Sequence, residues 1–381
     1  MTLTDDATER LISTAAPELP DLARTLEQPS GAGQPDGHVT SAERRTKVAV
    51  VIPFYQHEAG ILTKAVQSVF AQGIAGSADL WVVIVDDASP VPASAEVAGL
   101  RDGDRSRITV LEQPNAGPGQ ARNAALDLIA GQGADFVAFL DSDDVWKPDH
   151  LRDALSALDR GHDFYFCDHV RFEDTTTYAS TIPALARLAD PATAGYAVID
   201  PVGPVITVDR DAVLAAYLKQ YLSQTSTVVM RQSCMQTLRF DPELRGAGED
   251  HLFWIMAVAD GARMAISWRV NVYCGRGVNV YYSAFDFASV KAVDRIGYLS
   301  LFWYKCGILP ASKQTRVAAR HMQRRYLRAY SYMYLRAIFR GQNPEFGLFR
   351  KIWKRFPLMP FAMPFRFLAV LPRRREESEL W

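Results

Sequence analysis

With 381 residues, 48% of them hydrophobic and 22% charged, the chain can bury a core for one large globular unit or two smaller ones, which excludes wholesale disorder. Its net charge of −1 conceals a split: from Lys313 onward 16 Lys and Arg face four Glu, so that segment is +12 and the first 312 residues are −13, an acidic body with a basic tail. Four cysteines without CxxC spacing argue against zinc and are expected to be buried reduced thiols, and with no signal pattern or run of 18 uncharged apolar residues a cytoplasmic location is expected.

Residues 1–45 include Gln28-Pro-Ser-Gly-Ala-Gly-Gln-Pro-Asp-Gly37 and sustain neither helical nor strand periodicity, so a disordered leader is expected. Its Gly31-Ala-Gly33 precedes the first strand instead of following it, which excludes a dinucleotide fingerprint. From Lys47, apolar runs of strand length at Val48–Ile52, Trp81–Val85, Ile108–Leu111 and Phe136–Leu140 alternate with helical stretches at about 60–72, 92–101, 119–131 and 149–160. That rhythm predicts an α/β fold with a Rossmann-like, mostly parallel sheet flanked by helices, binding ligands beyond the carboxyl ends of its strands. Each strand does run into a polar segment there: Pro53–Glu58, Asp86–Ser89, Gln113–Gly119 and Asp141–Asp144.

Asp86 and Asp87 close the second strand, where a carboxylate can accept hydrogen bonds from a nucleobase or ribose, or can serve the turn in Asp-Asp-Ala-Ser-Pro. Asn115-Ala-Gly-Pro-Gly-Gln-Ala-Arg-Asn123 is a glycine-bearing loop that opens a helix. Its free N–H groups and Arg122 suit a phosphate, although such loops are also ordinary helix entries. Asp141 and Asp143 stand two apart at the end of the fourth strand, which suits Mg²⁺ or Mn²⁺, since these ions take one or two carboxylates and complete their shell with phosphate and water. The same stretch also reads as an acidic turn, with Asp144 or Asp149 capping the next helix. Gly246-Ala-Gly-Glu-Asp250 precedes an apolar helix, and a carboxylate there, Asp250 first and Glu249 second, is either a general base or a helix cap.

Val51-Ile-Pro-Phe-Tyr, Val85-Asp-Asp-Ala-Ser, the Asn115–Asn123 loop, Phe139-Leu-Asp-Ser-Asp-Asp and Gly248-Glu-Asp follow one another in this order. Together they resemble family 2 glycosyltransferases of the GT-A fold, over roughly residues 47–280. The resemblance implies that Pro53, Tyr55 and Glu58 border the nucleotide and that Asp86 or Asp87 contacts its base. It also implies that Asp141 and Asp143 hold Mn²⁺ or Mg²⁺ and that Asp250 is the base of an inverting reaction. Arg122, Asp141 and Ser142 complete the expected donor-binding set. Many relatives carry Asn where Gln56 stands and Glu where His57 stands, so Glu58 departs from the pattern. More narrowly, Tyr55-Gln-His-Glu-Ala-Gly-Ile-Leu and Arg276-Gly-Val-Asn-Val-Tyr resemble glucosyltransferases of succinoglycan-type exopolysaccharide synthesis. That likeness implies UDP-glucose, an undecaprenyl-diphosphate-linked oligosaccharide acceptor and a β-glycosidic product.

On this reading residues 46–280 form the catalytic domain, with 46–160 its nucleotide-sugar half and 161–280 its acceptor half. Strands of a mixed sheet are expected at Phe164–Asp168 and Thr225–Met230. Trp254, Tyr273, Tyr281 and Tyr282 are candidates for sugar stacking or for core, while His57, His150, His162, His169 and His251 read as ordinary residues. Residues 281–381 are expected to form a helical basic extension. There Arg324, Arg325, Arg328, Arg336, Arg340, Arg350, Lys351, Lys354 and Arg355 interleave with Tyr326, Tyr330, Tyr332, Tyr334, Phe339, Phe349, Trp353 and Phe356. Such a segment either lies on an anionic membrane surface or packs on the catalytic domain. Phe356–Pro372, broken by Pro357, Pro360, Pro364 and Arg366, suits an interface better than a span, so peripheral attachment to the inner face of the cell membrane is expected. No recognised nucleic-acid module accompanies the basic patch. One rival is a nucleotidyltransferase of sugar phosphates, opposed by the lack of a Gly-rich basic loop after the first strand. The other is a non-catalytic carbohydrate- or membrane-binding relative, opposed by the retained carboxylates.

Overall fold

The computed structural model describes residues 44–370 apart from 75, 173, 202–203, 276–288 and 310–311. The expected leader up to residue 43, the Arg276–Tyr281 motif with Tyr282, and the tail from 371 lie outside the described residues. The strands are β1 (Thr46–Phe54), β2 (Ala78–Asp86), β3 (Ile108–Glu112), β4 (Phe136–Phe139), β5 (Val145–Trp146), β6 (Phe164–Arg171), β7 (Ala197–Asp200), β8 (Val205–Thr207), β9 (Val228–Arg231) and β10 (Met264–Cys274). The helices of the body are α1 (Ile61–Phe70), α2 (Ala93–Ala98), α3 (Asp102–Arg105), α4 (Pro118–Ala130), α5 (His150–Asp159), α6 (Pro183–Leu188), α7 (Arg210–Tyr217) and α8 (Glu249–Ala259). Four more follow: α9 (Val290–Cys306), α10 (Lys313–Phe339), α11 (Phe346–Arg355) and α12 (Met359–Val370).

The sheet order is β3-β2-β1-β4-β9-β6-β10-β8-β7, with β5 paired to β10. β3, β2, β1 and β4 are mutually parallel. β9 enters antiparallel between β4 and β6, and β6 runs parallel to β10. Six strands therefore end at one edge, and β9 starts there. β1 shows why helices must cover both faces: every residue from Val48 to Ile52 is excluded from solvent. Val48, Val50 and Ile52 enter a core beneath α1, α2 and α5, whereas Ala49 and Val51 enter a second core beneath α4 and α8. Each large apolar side chain so buried contributes about 1.5–3 kcal/mol.

The strand expected from Thr225 begins instead at Val228, because Thr225–Thr227 form a 3₁₀ turn. Side chains compete with the ladder there: Gln224 Oε1 accepts the Ser226 N–H at 2.6 Å and Thr227 Oγ1 donates to the Gln224 carbonyl at 2.7 Å. The cysteines are free thiols, but Cys234 is only half-buried, unlike Cys167, Cys274 and Cys306.

The C-terminal helices pack on the body next to α8. Phe302 of α9 stacks on His251 at 4.8 Å, Lys305 pairs with Asp241 at 2.6 Å and Glu243 at 2.7 Å, and Arg355 pairs with Glu243 at 2.6 Å. Tyr330, Tyr332 and Tyr334 of the basic-aromatic segment are buried, so these aromatics of α10 belong to the core. Among the described residues no helix is long and apolar enough to cross a membrane.

Candidate functional site

The expected donor residues collect at the shared strand edge. Pro53 is half-buried, Glu58 is exposed, and Tyr55 presents its ring to His57 edge-on. Gln56 is buried and ties the first strand end to the fourth, its Nε2 donating to Ser142 Oγ at 3.1 Å while its N–H donates to Ser89 Oγ at 2.8 Å. Asp86 and Asp87 brace the turn between them and Ser89, which passes through Ala88 at φ 56°, a left-handed conformation that alanine rarely adopts. Asp86 accepts the Ser89 N–H at 2.7 Å and the Ala93 N–H of α2 at 2.8 Å. Asp87 accepts Gln113 Nε2 at 2.7 Å and the N–H groups of Ala116 and Gly117, each at 2.8 Å. The turn reading is thus realised for both carboxylates, and Asp87 also shapes the glycine-bearing loop.

Arg122, the expected phosphate contact, is instead buried against carboxylates. Its Nη2 donates to Asp141 Oδ1 at 2.6 Å and its Nη1 lies 3.5 Å from Glu249 Oε1. The cause lies at the start of α4, where a Cβ on Gly119 would stand 3.1 Å from Glu249 Cγ and 3.3 Å from Phe240 Cβ. Glycine there eases the close approach of α4 to α8, which turns Arg122 inward. Burial pulls its basicity down, but the charges of Asp141, Glu249 and Asp250 more than compensate and hold the guanidinium above its ordinary range.

A segment expected as strand joins the two ends of the site. Gln224 Nε2 donates to Asp144 Oδ2 at 2.9 Å and to Asp141 Oδ2 at 3.3 Å. Ser226 Oγ donates to Asp144 and accepts the Asp141 N–H at 2.9 Å, while Thr225 Oγ1 donates to Asp250 at 3.3 Å. Its signal was the polar run Gln224-Thr-Ser-Thr227 immediately before apolar Val228, but only the antiparallel entry of β9 brings that run to the carboxyl edge. Asp144, read as a possible cap, accepts the Gly275 N–H at 2.7 Å, and Asp149 pairs with Arg152 without capping α5.

Asp250 lies in the first turn of α8, entered through Gly248 at φ 84°. One carboxylate oxygen accepts the His251 N–H at 2.7 Å and the other accepts the Tyr221 hydroxyl. Burial pushes Tyr221 well above the ordinary phenol range, so it stays a donor to the carboxylate. Trp254, a candidate for sugar stacking, is fully buried among Phe139, Phe164 and Phe253 and belongs to the core.

Among the described residues no three His, Cys, Asp or Glu form a protein-built metal cage. Mn²⁺ and Mg²⁺ do not require one when phosphate and water complete the shell. Asp141 and Asp143 supply hard oxygens at the edge, and Asp144 behind them is driven well above the usual carboxylate range by burial and then by the charges of Asp143 and Asp141. Two carboxylates at the strand edge fit a divalent cation whose shell a donor phosphate and water complete.

Stability should be greatest near neutrality and fall on both sides. Burial, followed by the Asp250 charge, pushes Glu249 up to about 8 against the pull of Arg122, with Asp141 adding to the rise. A carboxyl raised in the fold contributes stability that is complete below its unfolded value and lost as pH climbs toward 8. His169 and His251, held down to about 4 by burial, act oppositely: their contribution is present above the unfolded value and lost as pH falls through 4. Urea unfolding from pH 5 to 9 should show Glu249→Gln flattening the decline between about pH 6.5 and 8, and an unchanged slope there would contradict the assignment.

Residues 49–222 match the family described as Glycosyl transferase family 2. Succinoglycan biosynthesis protein ExoW of Rhizobium meliloti is 36% identical over 252 residues, which cover 62% of this chain and 71% of that protein. Succinoglycan biosynthesis protein ExoO of the same organism is 30% identical over 222 residues, 58% of either chain. The crystal structure of S. aureus TarS 1–349 superposes with a TM-score of 0.51 at 18% identity, covering 76% of this chain and 81% of that one, a likeness of fold.

Proposed function

We infer, because the chain belongs to glycosyl transferase family 2, that it moves a sugar from a nucleotide-sugar donor to an acceptor hydroxyl with inversion, Asp250 acting as base. The observation that carries this reading is the Gln224–Ser226 turn, which engages Asp141 and Asp144 on one side and Asp250 on the other. Asp250 takes the acceptor proton as that oxygen attacks the anomeric carbon opposite the departing diphosphate. Tyr221 and Thr225 orient the carboxylate for this step. Asp141 and Asp143 would hold Mn²⁺ or Mg²⁺, which when bound supplies positive charge to the leaving diphosphate. Pro53, Tyr55, Glu58, Asp86, Asp87 and Ser142 stand where a nucleotide would lie, while Arg122 fixes Asp141 from beneath.

The two succinoglycan-synthesis relatives support an exopolysaccharide product, and the motif resemblance adds UDP-glucose as donor and a lipid-linked oligosaccharide as acceptor. Peripheral attachment to the cytoplasmic face of the membrane suits that acceptor. In support, α11, α12 and the turn between them expose Phe346, Trp353, Leu358, Phe361, Phe365 and Leu368 beside Arg350 and Lys354, and no Asp or Glu occurs from Phe346 to Val370.

Melting curves with UDP-, GDP- and dTDP-sugars, each with Mn²⁺ or with chelator, test the donor site. A UDP-sugar at about 100 times its Kd should stabilise the protein by about 2.7 kcal/mol. Chelator or Asp143→Ala should remove most of that shift. A shift untouched by both would reject the metal role, and no shift with any sugar nucleotide would reject the donor reading.

A further inference from the structure

Phe172, just past β6, and Tyr273, near the end of β10, stack at 5.7 Å between centroids with planes 17° apart, and their rings remain 42% and 36% exposed. The side on which they stand is set by an irregular register. β10 pairs in step with β6 from Met264↔Phe164 to Ser267↔Cys167, then shifts twice before Val272↔His169 and Tyr273↔Val170. Ahead of the shifts Met264 and Ile266 enter the core beneath α8, whereas after them Val272 and Cys274 enter the opposite core. Tyr273 therefore faces the α8 side, as Phe172 does. A regular strand would have sent Tyr273 into the other layer, so the extra residues re-aim it.

The pair adjoins the carboxylates. Tyr273 is the ladder partner of Val145, two residues past Asp143, and Lys147 Nζ lies 5.0 Å from the Tyr273 ring centre. Gly275 donates to Asp144 at 2.7 Å, and a Cβ on it would lie 2.6 Å from the Asp143 carbonyl oxygen. In the sheet, β1, β2 and β3 lie on one side of β4, and β6 and β10 lie on the other. The rings thus stand across Asp141–Asp143 from the expected nucleotide residues, on the face that carries the Asp250 helix.

We propose that Phe172 and Tyr273 form a stacking platform for a pyranose ring of the acceptor saccharide, an assignment that rests on the glycosyl-transfer reading above. A glucopyranose with equatorial substituents presents weakly positive C–H groups on each face, complementary to the negative face of an aromatic ring. The Lys147 ammonium at the rim can donate to its hydroxyls.

Saturation-transfer NMR on the full chain with UDP and Mn²⁺, using β-1,4- and β-1,6-linked glucotrioses as probes, tests the platform. Wild-type protein should transfer saturation to at least one trisaccharide, Phe172→Ala and Tyr273→Ala should weaken binding about three- to tenfold, and Tyr273→Trp should preserve it. The UDP-induced melting shift of the same variants should not change. Undiminished transfer in both alanine variants, or none from the wild type to either probe, would overturn the platform. Should Tyr273→Ala fail to fold, the more exposed Phe172→Ala decides. A missing UDP shift in the wild type counts against the donor reading alone, because sugar contact is read separately.

Discussion

Asp250→Asn is expected to bind a UDP-sugar as the wild type does while transferring it roughly 10²–10⁴-fold more slowly. The amide keeps the size of the carboxylate and can still accept the Tyr221 and Thr225 hydroxyls through its oxygen, giving up only the acceptor for the His251 N–H. What it loses is the capacity to take the acceptor proton. Initial rates should therefore fall through kcat with little change in donor KM, and the UDP-dependent melting shift should persist. Wild-type turnover by this variant would remove Asp250 from the mechanism. Glu249→Gln serves as the comparison: Glu249 is buried against Arg122 and pushed up to about 8, so its loss should change stability with pH more than turnover.

Arg122→Met should be the most damaging single change for stability, by about 3–5 kcal/mol, because removing one partner leaves buried carboxylate charge uncompensated. The methionine fills much of the volume under the Phe240 ring but leaves the Asp141 carboxylate without its counter-charge. Part of the loss should be recovered in Arg122→Met/Asp141→Asn, since the uncompensated charge is then gone. Urea midpoints of the two singles and the double form a cycle, and strict additivity would show that the Arg122–Asp141 contact carries no coupling. The surviving folded protein should bind the UDP-sugar more weakly, since Asp141 loses the group that fixes it.

Much of the α/β body was legible because it is written locally. The apolar runs at Val48–Ile52 and Trp81–Val85 fall inside β1 and β2, and the stretch from Gly119 coincides with α4 to within a residue at each end. These runs exceed what one buried face needs, and that excess alone signals a sheet covered on both sides. Asp141–Asp144 and Gly248–Asp250 stood out in the sequence by lying at the carboxyl end of a strand and at a helix start, where a turn or a helix cap explains such residues as well. What Arg122 touches was not legible, for the opposite reason. A guanidinium one turn into a helix looks available until Gly119 brings Glu249 against it.

Sequence by itself determined the alternation of strands and helices, the edge at which polar residues gather, and the identities of the carboxylates there, because each depends on neighbours within a few positions. Tertiary structure decided what those carboxylates touch. Gln224 reaches Asp141 across 83 residues of chain, and Thr225 reaches Asp250 across 25. Two register shifts in β10 chose the face of Tyr273, and packing against α9 buried the tyrosines of a helix whose basic composition suggested a surface. Periodicity reports which residues avoid water, but it carries no information on which distant segment supplies the hydrogen bond or the opposite charge.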